Sequence, residues 1–294
     1  VHVDFSDLHV ERLVPLCGHY TIPRAFIKAS IRTASSGVST PTPSSSVRGG
    51  FLKRYVAEKP CDLEKTEKLE QLAEFGVSPC KTAAEVVEAS KFVFLAVKPQ
   101  NFEELLVSVK DSMTSDKVIV SIAAGITADY IRSMTIPDAK VVLVMPNTPF
   151  LLGEGATALA KCAHVTDEEF SVVCEIFSTG GITAVVPENK MKEIIAVNGS
   201  SPAFIYLFAK GFVGYAADNG IDSQAALELF AQSLIGSAKM LTDSGKTVDE
   251  LIKMVSSPGG TTLKGLDELY DGNLLGIVRK CCESCTKRAY ELSK

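Results

Sequence analysis

The feature that most constrains the fold is a regular alternation of short apolar runs and helical segments between residues 82 and 186. The apolar runs span residues 92–97, 118–122, 141–145, 156–160 and 182–186. Their length and their few polar side chains are typical of strands buried in a parallel sheet. Between them lie helix-start signals, including Thr82 with Glu85 and Thr166 with Glu169. The pattern predicts an α/β fold with a mostly parallel, Rossmann-like sheet.

After Pro187 the sequence changes character, because strand-like runs end and helix signals follow one another to the C-terminus. The predicted helix starts are Ser201-Pro202, Asp222, Thr247 with Glu250, and the end of a Ser-Pro-Gly-Gly corner after which two more helices follow. We therefore expect two domains, a Rossmann-like domain over residues 1–187 and an all-helical domain over residues 188–294.

Residues 1 to 60 depart from the expected beginning of such a sheet. A doubly wound nucleotide-binding domain begins with an apolar strand, a Gly-x-Gly-x-x-Gly turn and a helix, and this glycine motif is absent from the sequence. Two registers remain open. In one, residues 26–32 form the second strand and the Ser/Thr/Pro-rich tract 34–46 is an insertion; in the other, residues 49–55 are the remnant of the first helix.

Composition favours a small-molecule partner. A net charge of −5 argues against a general binder of nucleic acid or of anionic membranes, which needs clustered Lys and Arg. The longest apolar stretch, residues 203–217, is interrupted by Lys210, Gly211 and Gly214, so we expect a buried helix and no membrane span. Acidic residues such as Asp4 and Asp7 interrupt the apolar residues at the start, so we expect no secretory signal there.

Eight cysteines are scattered along the chain, without the spacing of a small disulfide-linked domain. This distribution favours a reducing compartment, and we expect a cytoplasmic protein. Cys281, Cys282 and Cys285 form a cluster on a predicted helix, but no fourth ligand lies nearby in the sequence. We expect these three to be small packing residues and no metal site.

Three loops that follow predicted strands are candidates for binding a nucleotide, because open α/β sheets bind ligands at the carboxyl ends of their strands. They contain Ala96-Val97-Lys98-Pro99, Ile122-Ala123-Ala124-Gly125 and Met145-Pro146-Asn147-Thr148-Pro149. Small residues in the first two let a nucleotide approach the backbone, and Lys98 offers a cation. Asn147 and Thr148 offer hydrogen bonds to a carboxamide or substrate. The alternatives are ordinary βα turns and a rigid, proline-bounded connection.

The corner Ser257-Pro258-Gly259-Gly260-Thr261-Thr262 is a candidate anion pocket. Its glycines expose backbone N–H groups, and the two threonines stand where a new helix begins, so several donors can converge on a carboxylate or phosphate. The alternative is a helix–turn–helix corner in which a threonine is the N-cap. Asn198-Gly199-Ser200-Ser201 precedes the first long helix. For this segment, a role in a binding site and N-capping of the helix by Ser200 or Ser201 both stay open.

These motifs, in this order and spacing, resemble the pyrroline-5-carboxylate reductase family from about Leu69 to Lys294. The resemblance rests on Phe94-Leu95-Ala96-Val97-Lys98-Pro99-Gln100, Ser121-Ile122-Ala123-Ala124-Gly125, Met145-Pro146-Asn147-Thr148-Pro149, Gly153-Glu154-Gly155, Asn198-Gly199-Ser200-Ser201-Pro202-Ala203-Phe204, Gly236-Ser237-Ala238-Lys239-Met240 and Val255-Ser256-Ser257-Pro258-Gly259-Gly260-Thr261-Thr262. Asn198 stands where the family usually has a serine. The N-terminal part does not share the match.

The resemblance implies reduction of L-1-pyrroline-5-carboxylate to L-proline, the last step of proline biosynthesis, with NADPH or NADH as the hydride source. It implies a dinucleotide-binding sheet domain and a helical domain that binds substrate and forms a homodimer or larger homo-oligomer. The implied cofactor-binding residues are Ala96, Val97, Lys98, Pro99, Ile122, Ala123, Ala124 and Asn147. The implied substrate-binding residues are Ser200, Ser257, Gly259, Gly260, Thr261 and Thr262, with the Thr262 hydroxyl near the ring nitrogen.

Two other interpretations stay open. Because the glycine motif is missing, the chain can be a non-catalytic or cofactor-impaired paralogue that serves as an oligomer subunit. A third reading is another dehydrogenase of similar architecture, acting on a different imine or a β-hydroxyacid. The sequence does not choose between NADH and NADPH, since the residue that ends the second strand is not placed.

Overall fold

A computed structural model describes residues 13–17, 54–56, 78–80, 82–97 and 101–293. The chain divides into two compact units, one formed by Val1–Gly199 with Thr286–Lys294 and the other by Ser200–Cys285. The boundary predicted after residue 187 stays a prediction, while the division by contacts falls after Gly199.

The first unit is built on one sheet, to which the described ranges contribute eight strands. They are β1 (Leu13–Cys17), β2 (Arg54–Val56), β3 (Ser78–Cys80), β4 (Phe92–Ala96), β5 (Val118–Ser121), β6 (Lys140–Met145), β7 (Gly155–Lys161) and β8 (Gly181–Val185). Their order is β3-β2-β1-β4-β5-β6-β7-β8, and neighbours are parallel except β6 and β7. The strand order reverses between β1 and β4, as in a doubly wound sheet. The Rossmann-like prediction is confirmed.

Within the described ranges, four helices connect these strands, and three of them have side-chain caps. They are α1 (Ala83–Glu88), α2 (Phe102–Val109), α3 (Ala128–Met134) and α4 (Asp167–Ser178). Thr82, Thr127 and Thr166 cap α1, α3 and α4 with their side-chain oxygens. The box at α4 is complete, because Glu169 also accepts the Thr166 N–H at 3.1 Å.

One cluster of the core lies between α4 and the middle of the sheet, and the buried residues of α2 and α3 add to the core. Every residue of β4 and β5 is buried, as is β6 after Lys140. Phe177 of α4 lies 6.1 Å from Phe94 and 5.9 Å from Phe150, measured between ring centroids. These contacts hold α4 on one face of the strands whose carboxyl ends carry the candidate cofactor loops.

The second unit is helical throughout. It contains α5 (Ser201–Asp218), α6 (Ser223–Asp243), α7 (Val248–Met254), α8 (Thr261–Asp271) and most of α9 (Leu274–Glu291). Asp222 caps α6, and Thr247 with Glu250 forms a complete capping box at α7, so both predicted caps are confirmed. Among the described residues, no helix has the length and hydrophobicity needed to cross a membrane.

Of the two registers predicted for the N-terminal residues, the structure contradicts one and does not describe the other. Arg54–Val56 is a strand that pairs with β1 and β3, so the register that made residues 49–55 the remnant of the first helix is wrong at its last two positions. The sequence also concealed β1, because Pro15 stands in its middle and a proline lacks the N–H of a regular ladder. Residues 26–32 and the Ser/Thr/Pro-rich tract 34–46 lie outside the described residues.

Candidate active site

The carboxyl ends of β4 and β5 lie side by side and carry the first two candidate loops. Ala96 and Val97 are buried at the end of β4, while Lys98 and Pro99 lie outside the described residues. The Ile122 N–H donates to the Leu95 carbonyl at 3.3 Å, which continues the β4–β5 pairing beyond the last residue of β5. The two loops therefore leave the sheet from adjacent strands, as a cofactor lying across both would require.

The loop after β5 exposes its backbone. Ala124 is exposed, and Gly125 has a φ of +82°, a left-handed conformation that favours glycine. The Ala123 N–H points back to the buried Ser121 hydroxyl at 3.5 Å. The small side chains of Ala123 and Ala124 therefore leave room for a planar ring to approach them.

A cavity of about 600 Å³ opens beside this loop. Its walls include Ala123 and Gly125 from the loop, Met145 from β6, Lys192 from the segment after β8, and Tyr290 near the C-terminus. All of these residues belong to the first unit. The cavity adjoins the carboxyl ends of β5 and β6, where ligands bind in sheets of this kind.

The amide of Asn147 is used by the protein itself. Asn147 Oδ1 accepts the Ala156 N–H at 2.9 Å, and this bond fastens the start of the turn at Thr148–Leu152 to β7. The Oδ1 atom has a second lone pair and Nδ2 carries two hydrogens, so this amide can bond the protein and a cofactor at the same time. Thr148 is exposed in that turn.

Asn198 has a similar role that the sequence did not reveal. Its Nδ2 donates to the carbonyl oxygens of Met145 and Ala156, at 2.7 and 3.0 Å. Asn198 belongs to a π-helical turn, Ile195–Gly199, directly before Ser200. The sequence signal for this role is the asparagine itself, which stands where the family usually has a serine. A serine hydroxyl has only one hydrogen, whereas the asparagine amide has two and can donate to both carbonyl oxygens.

In the second unit, the Ser-Pro-Gly-Gly-Thr-Thr corner forms the start of α8. The Gly260 N–H donates to the Ser257 carbonyl at 2.9 Å, and Gly259 is left-handed with φ +71°. The segment joins α7 to α8, as the helix–turn–helix alternative expected, but the N-cap is Gly260, so the expectation of a threonine N-cap is wrong. Thr261 and Thr262 are the first two helical residues, and both are exposed.

The tight geometry of the corner explains its second glycine. A Cβ atom on Gly260 would lie 2.7 Å from Ser257 Oγ, so a side chain there would displace the serine hydroxyl. Without one, the Ser257 hydroxyl and the first N–H groups of α8 occupy the same small region. A helix N-terminus of this kind favours anions through its N–H groups and dipole.

Ser200 does not cap the first long helix. It occupies the N-cap position of α5, but its side chain makes no capping bond, and its Oγ lies 3.2 Å from Cys285 Sγ. Cys281, Cys282 and Cys285 are free thiols that are half-buried on α9. In the described part of the chain, no three His, Cys, Asp or Glu side chains are placed to hold a metal ion.

The candidate residues thus fall into two groups. Those for the cofactor line the carboxyl ends of β4, β5 and β6 in the first unit, and those for the substrate lie at the starts of α5 and α8 in the second. The described residues fit the nicotinamide end of a dinucleotide, because the loop after β5 carries only small side chains beyond Ile122. The residues that follow β1, where sheets of this kind hold the pyrophosphate, lie outside the described residues.

Two protein-family models match the chain. One, described as pyrroline-5-carboxylate reductase dimerisation, matches residues 188–292, and the other, described as NADP oxidoreductase, coenzyme F420-dependent, matches residues 60–125. A pyrroline-5-carboxylate reductase of Escherichia coli is 34% identical over 221 residues, which cover 75% of this chain and 82% of the relative.

Solved structures show the same fold. A pyrroline-5-carboxylate reductase from Coxiella burnetii superimposes with a TM-score of 0.80 at 25% identity, covering 97% of this chain and 99% of its own. A pyrroline carboxylate reductase from Plasmodium falciparum, solved with NADP bound, gives a TM-score of 0.77 at 22% identity over 97% of this chain and 98% of its own. At that identity the second likeness concerns the fold.

Proposed function

The chain belongs to the pyrroline-5-carboxylate reductase family, and we propose that it reduces L-1-pyrroline-5-carboxylate to L-proline with NADPH or NADH. The observation that carries this proposal is the 34% identity to the Escherichia coli reductase across 82% of that enzyme's length. The match to the dimerisation model, which contains the corner at α8, supports it. Nothing in the comparisons favours a non-catalytic oligomer subunit or a different dehydrogenase.

The corner at the start of α8 is the proposed carboxylate site. The substrate carries one carboxylate, and the helix N-terminus offers the backbone N–H groups of Thr261 and Thr262 together with the Ser257 hydroxyl. Gly260 contributes by its lack of a Cβ, because its N–H already donates to the Ser257 carbonyl. A carboxylate that accepts several such bonds is held in one orientation, because charge-assisted hydrogen bonds are shorter and stronger than neutral ones. We propose that Ser200 and Gly259 complete this site.

Thr262 is the proposed catalytic residue. Reduction of a cyclic imine requires the ring nitrogen to be protonated or hydrogen-bonded while the adjacent carbon gains a hydride. In this proposal the Thr262 hydroxyl is the partner of the ring nitrogen, and its place in the first turn of α8 supports this role. A hydroxyl can donate and accept at once, so it suits both the imine and the amine product.

The cofactor, when bound, supplies the hydride. We propose that Ala96, Val97, Ile122, Ala123 and Ala124 line its nicotinamide, with Lys98, Pro99 and Asn147 beside them. The chain's contribution is to hold the ring in place and to exclude water from it. The match of residues 60–125 to an NADP oxidoreductase model supports NADP(H), and the choice over NAD(H) is left to experiment.

We also propose that the helical unit joins copies of the chain into a homodimer or larger homo-oligomer. Several large apolar side chains of this unit are exposed in the single chain. They include Phe204, Ile205, Tyr206, Leu207, Phe208, Phe212, Leu229 and Ile235. A second copy would cover such a surface, and the dimerisation model matches this part of the chain. Cys162, Cys174, Cys281, Cys282 and Cys285 are free thiols, which supports a cytoplasmic location.

The deciding experiment is a spectrophotometric assay of NAD(P)H oxidation that depends on pyrroline-5-carboxylate. The purified chain should oxidise the cofactor only when substrate is present, and proline should appear in equal amount. Hydrogen exchange with proline bound should show protection between Ser256 and Lys264. Absence of turnover at saturating substrate and millimolar cofactor would remove the proposal and favour a subunit without catalysis.

A further inference from the structure

The last residues of the chain pack against the loop that follows β5. A Cβ atom placed on Gly125 would lie 3.4 Å from the Ala289 carbonyl oxygen and 3.5 Å from the Leu292 carbonyl. Ala289 is buried, and residues 286–294 belong to the same compact unit as the sheet. We refer to residues 286–293, which comprise the end of α9 and the two residues after it, as the C-terminal turn. Its backbone lies directly against the one left-handed position of the β5 loop.

Tyr290 fastens this C-terminal turn to the segment that follows β8. Its hydroxyl donates to Glu193 Oε1 at 3.1 Å, and Lys192 Nζ lies 4.5 Å from the centre of its ring. Glu193 is also paired with Lys190 at 3.6 Å. The Tyr290 side chain is thus held by a hydrogen bond to Glu193 and by a cation–π contact with Lys192, the residue before Glu193.

Protonation supports this arrangement at neutral pH. The hydrogen bond to Glu193 raises the pKa of the Tyr290 hydroxyl, so the donor keeps its proton. Burial by itself raises the pKa of Glu193, but its own backbone N–H and the Tyr290 hydroxyl lower it overall, so the acceptor stays ionised. The bond is therefore intact wherever the enzyme is assayed near neutrality.

We propose that Tyr290 is a positioning residue for the cofactor, because it holds the C-terminal turn against Gly125 and so fixes the loop Ile122-Ala123-Ala124-Gly125. Tyr290 lines the same cavity as Ala123 and Gly125. Gly125 has no side chain of its own to pack, so the neighbouring backbone restricts it instead. This inference rests on the proposed function, which assigns the loop to the nicotinamide.

Loss of the anchor should free the loop, and cofactor binding would then have to order it again. Ordering one rotamer-rich group on binding costs about 0.5–1.5 kcal/mol, which corresponds to a change in affinity of roughly two- to ten-fold. Tyr290→Ala removes both the hydrogen bond and the ring, whereas Tyr290→Phe removes the hydroxyl alone. Arg288→Ala is the matched control, because Arg288 lies on the same turn and pairs only with its neighbour Glu291, at 3.0 Å, among its described contacts.

Hydrogen exchange without any ligand tests the structural half of the proposal. In Tyr290→Ala the amides of residues 122–127 should exchange faster than in the parent, Tyr290→Phe should lie between them, and Arg288→Ala should match the parent. Unchanged exchange in the loop would overturn the proposal. So would a uniform increase over the whole sheet, since that would show general destabilisation rather than release of one loop.

Steady-state kinetics test the functional half. Tyr290→Ala should raise the KM for NAD(P)H by about two- to ten-fold, while the KM for pyrroline-5-carboxylate stays that of the parent. An equal rise in both values, or a rise in neither, would contradict a role in positioning the cofactor. An inactive parent chain would instead count against the proposed function, and the exchange experiment would still decide whether Tyr290 fixes the loop.

Discussion

Asn147 and Asn198 bind the two backbone groups of a single residue, Ala156. Asn147 Oδ1 accepts its N–H at 2.9 Å, and Asn198 Nδ2 donates to its carbonyl at 3.0 Å. Asn198 also reaches the Met145 carbonyl at the end of β6. Two side-chain amides thus fix the start of β7 and the end of β6, and with them the loop that carries Asn147.

Substitution of Asn198 should therefore destabilise the first unit. Asn198→Ala leaves the Met145 and Ala156 carbonyls without this donor, and an unsatisfied buried polar group costs about 1–3 kcal/mol. We expect a loss of that size in the free energy of unfolding, measured by urea denaturation. Asn219→Ala is the control, because Asn219 also donates to a carbonyl, that of Tyr215, but is exposed. Equal losses in the two variants would contradict the role given to Asn198.

The lowered pKa of Glu169 should make the stability of the fold depend on pH. Burial alone raises its pKa, but hydrogen bonds from Lys140 and from the Thr166 N–H, with the charges of Lys140 and Lys91, lower it overall from its usual value of 4.5. A lowered pKa means that the ionised form stabilises the fold above pH 4.5, and that this contribution is lost as the pH falls through the lower folded value.

Glu169→Gln should therefore cost stability at pH 7 and little in strong acid. The expected loss at pH 7 is about 1–3 kcal/mol in the free energy of unfolding, from a buried charge-assisted bond. Urea denaturation at pH 7 and below pH 4 measures both values. Glu168→Gln, one residue away and exposed, should change little at either pH. A penalty for Glu169→Gln that grows in acid would show that the sign is wrong.

Substitution of Thr262 should change the kinetics of the reaction without changing the stability of the fold. Thr262→Ala removes the hydroxyl assigned to the ring nitrogen and should lower kcat/KM by an amount corresponding to roughly 1–3 kcal/mol of transition-state stabilisation. Thr262→Ser keeps a hydroxyl and should retain most activity. Thr262 is exposed in the single chain, so the thermal midpoint should hardly move. Parent-like kinetics in Thr262→Ala would remove its catalytic role.

The exposed face of α5 predicts an oligomer with no detectable monomer at micromolar concentration. Leu207 is 69% exposed in the single chain, and a glutamate there would place a charge in the proposed interface. Leu207→Glu should therefore sediment as smaller species. Leu152→Glu is the control, since Leu152 is 84% exposed in a turn of the first unit. A fully active monomeric parent would contradict the assembly.

The helical unit was the most predictable part of the chain, because its helix starts depend on local chemistry. Asp222 and Thr247 each accept a backbone N–H three residues on, so the sequence pattern and the observed cap describe one interaction. The corner at α8 shows the limit of such reasoning. A glycine, Gly260, is the N-cap there although two threonines follow it, because a side chain at Gly260 would meet Ser257 Oγ.

What the sequence did not reveal depends on contacts between distant residues. Asn198 reaches Met145 across 53 positions and Tyr290 reaches Glu193 across 97, and no local pattern relates them. β1 was missed for the opposite reason, since Pro15 violates the local rule for a central strand. The strand is recognised only when its pairing with β4 is seen.

The position of β1 leads to the last prediction, which concerns cofactor affinity. The residues directly after Cys17 read Gly18-His19-Tyr20-Thr21-Ile22-Pro23. In a Gly-x-Gly-x-x-Gly motif beginning at Gly18, the other two glycines would stand where this chain has Tyr20 and Pro23. Loss of the turn's charge-assisted bonds and helix dipole, about 3–6 kcal/mol, would weaken binding by roughly two to four decades. Our hypothesis is therefore that the chain binds NAD(P)H weakly while it keeps the substrate site.

Calorimetric titration with NADPH checks this hypothesis directly. The double substitution Tyr20→Gly with Pro23→Gly restores the motif in the sequence and should tighten binding, because backbone N–H groups can then approach the pyrophosphate. Pro41→Gly with Pro43→Gly adds the same number of glycines within the Ser/Thr/Pro-rich tract and should leave the affinity unchanged. Low-micromolar binding by the parent chain would show that another turn in residues 18–53 holds the pyrophosphate, and the hypothesis of weak binding would be wrong.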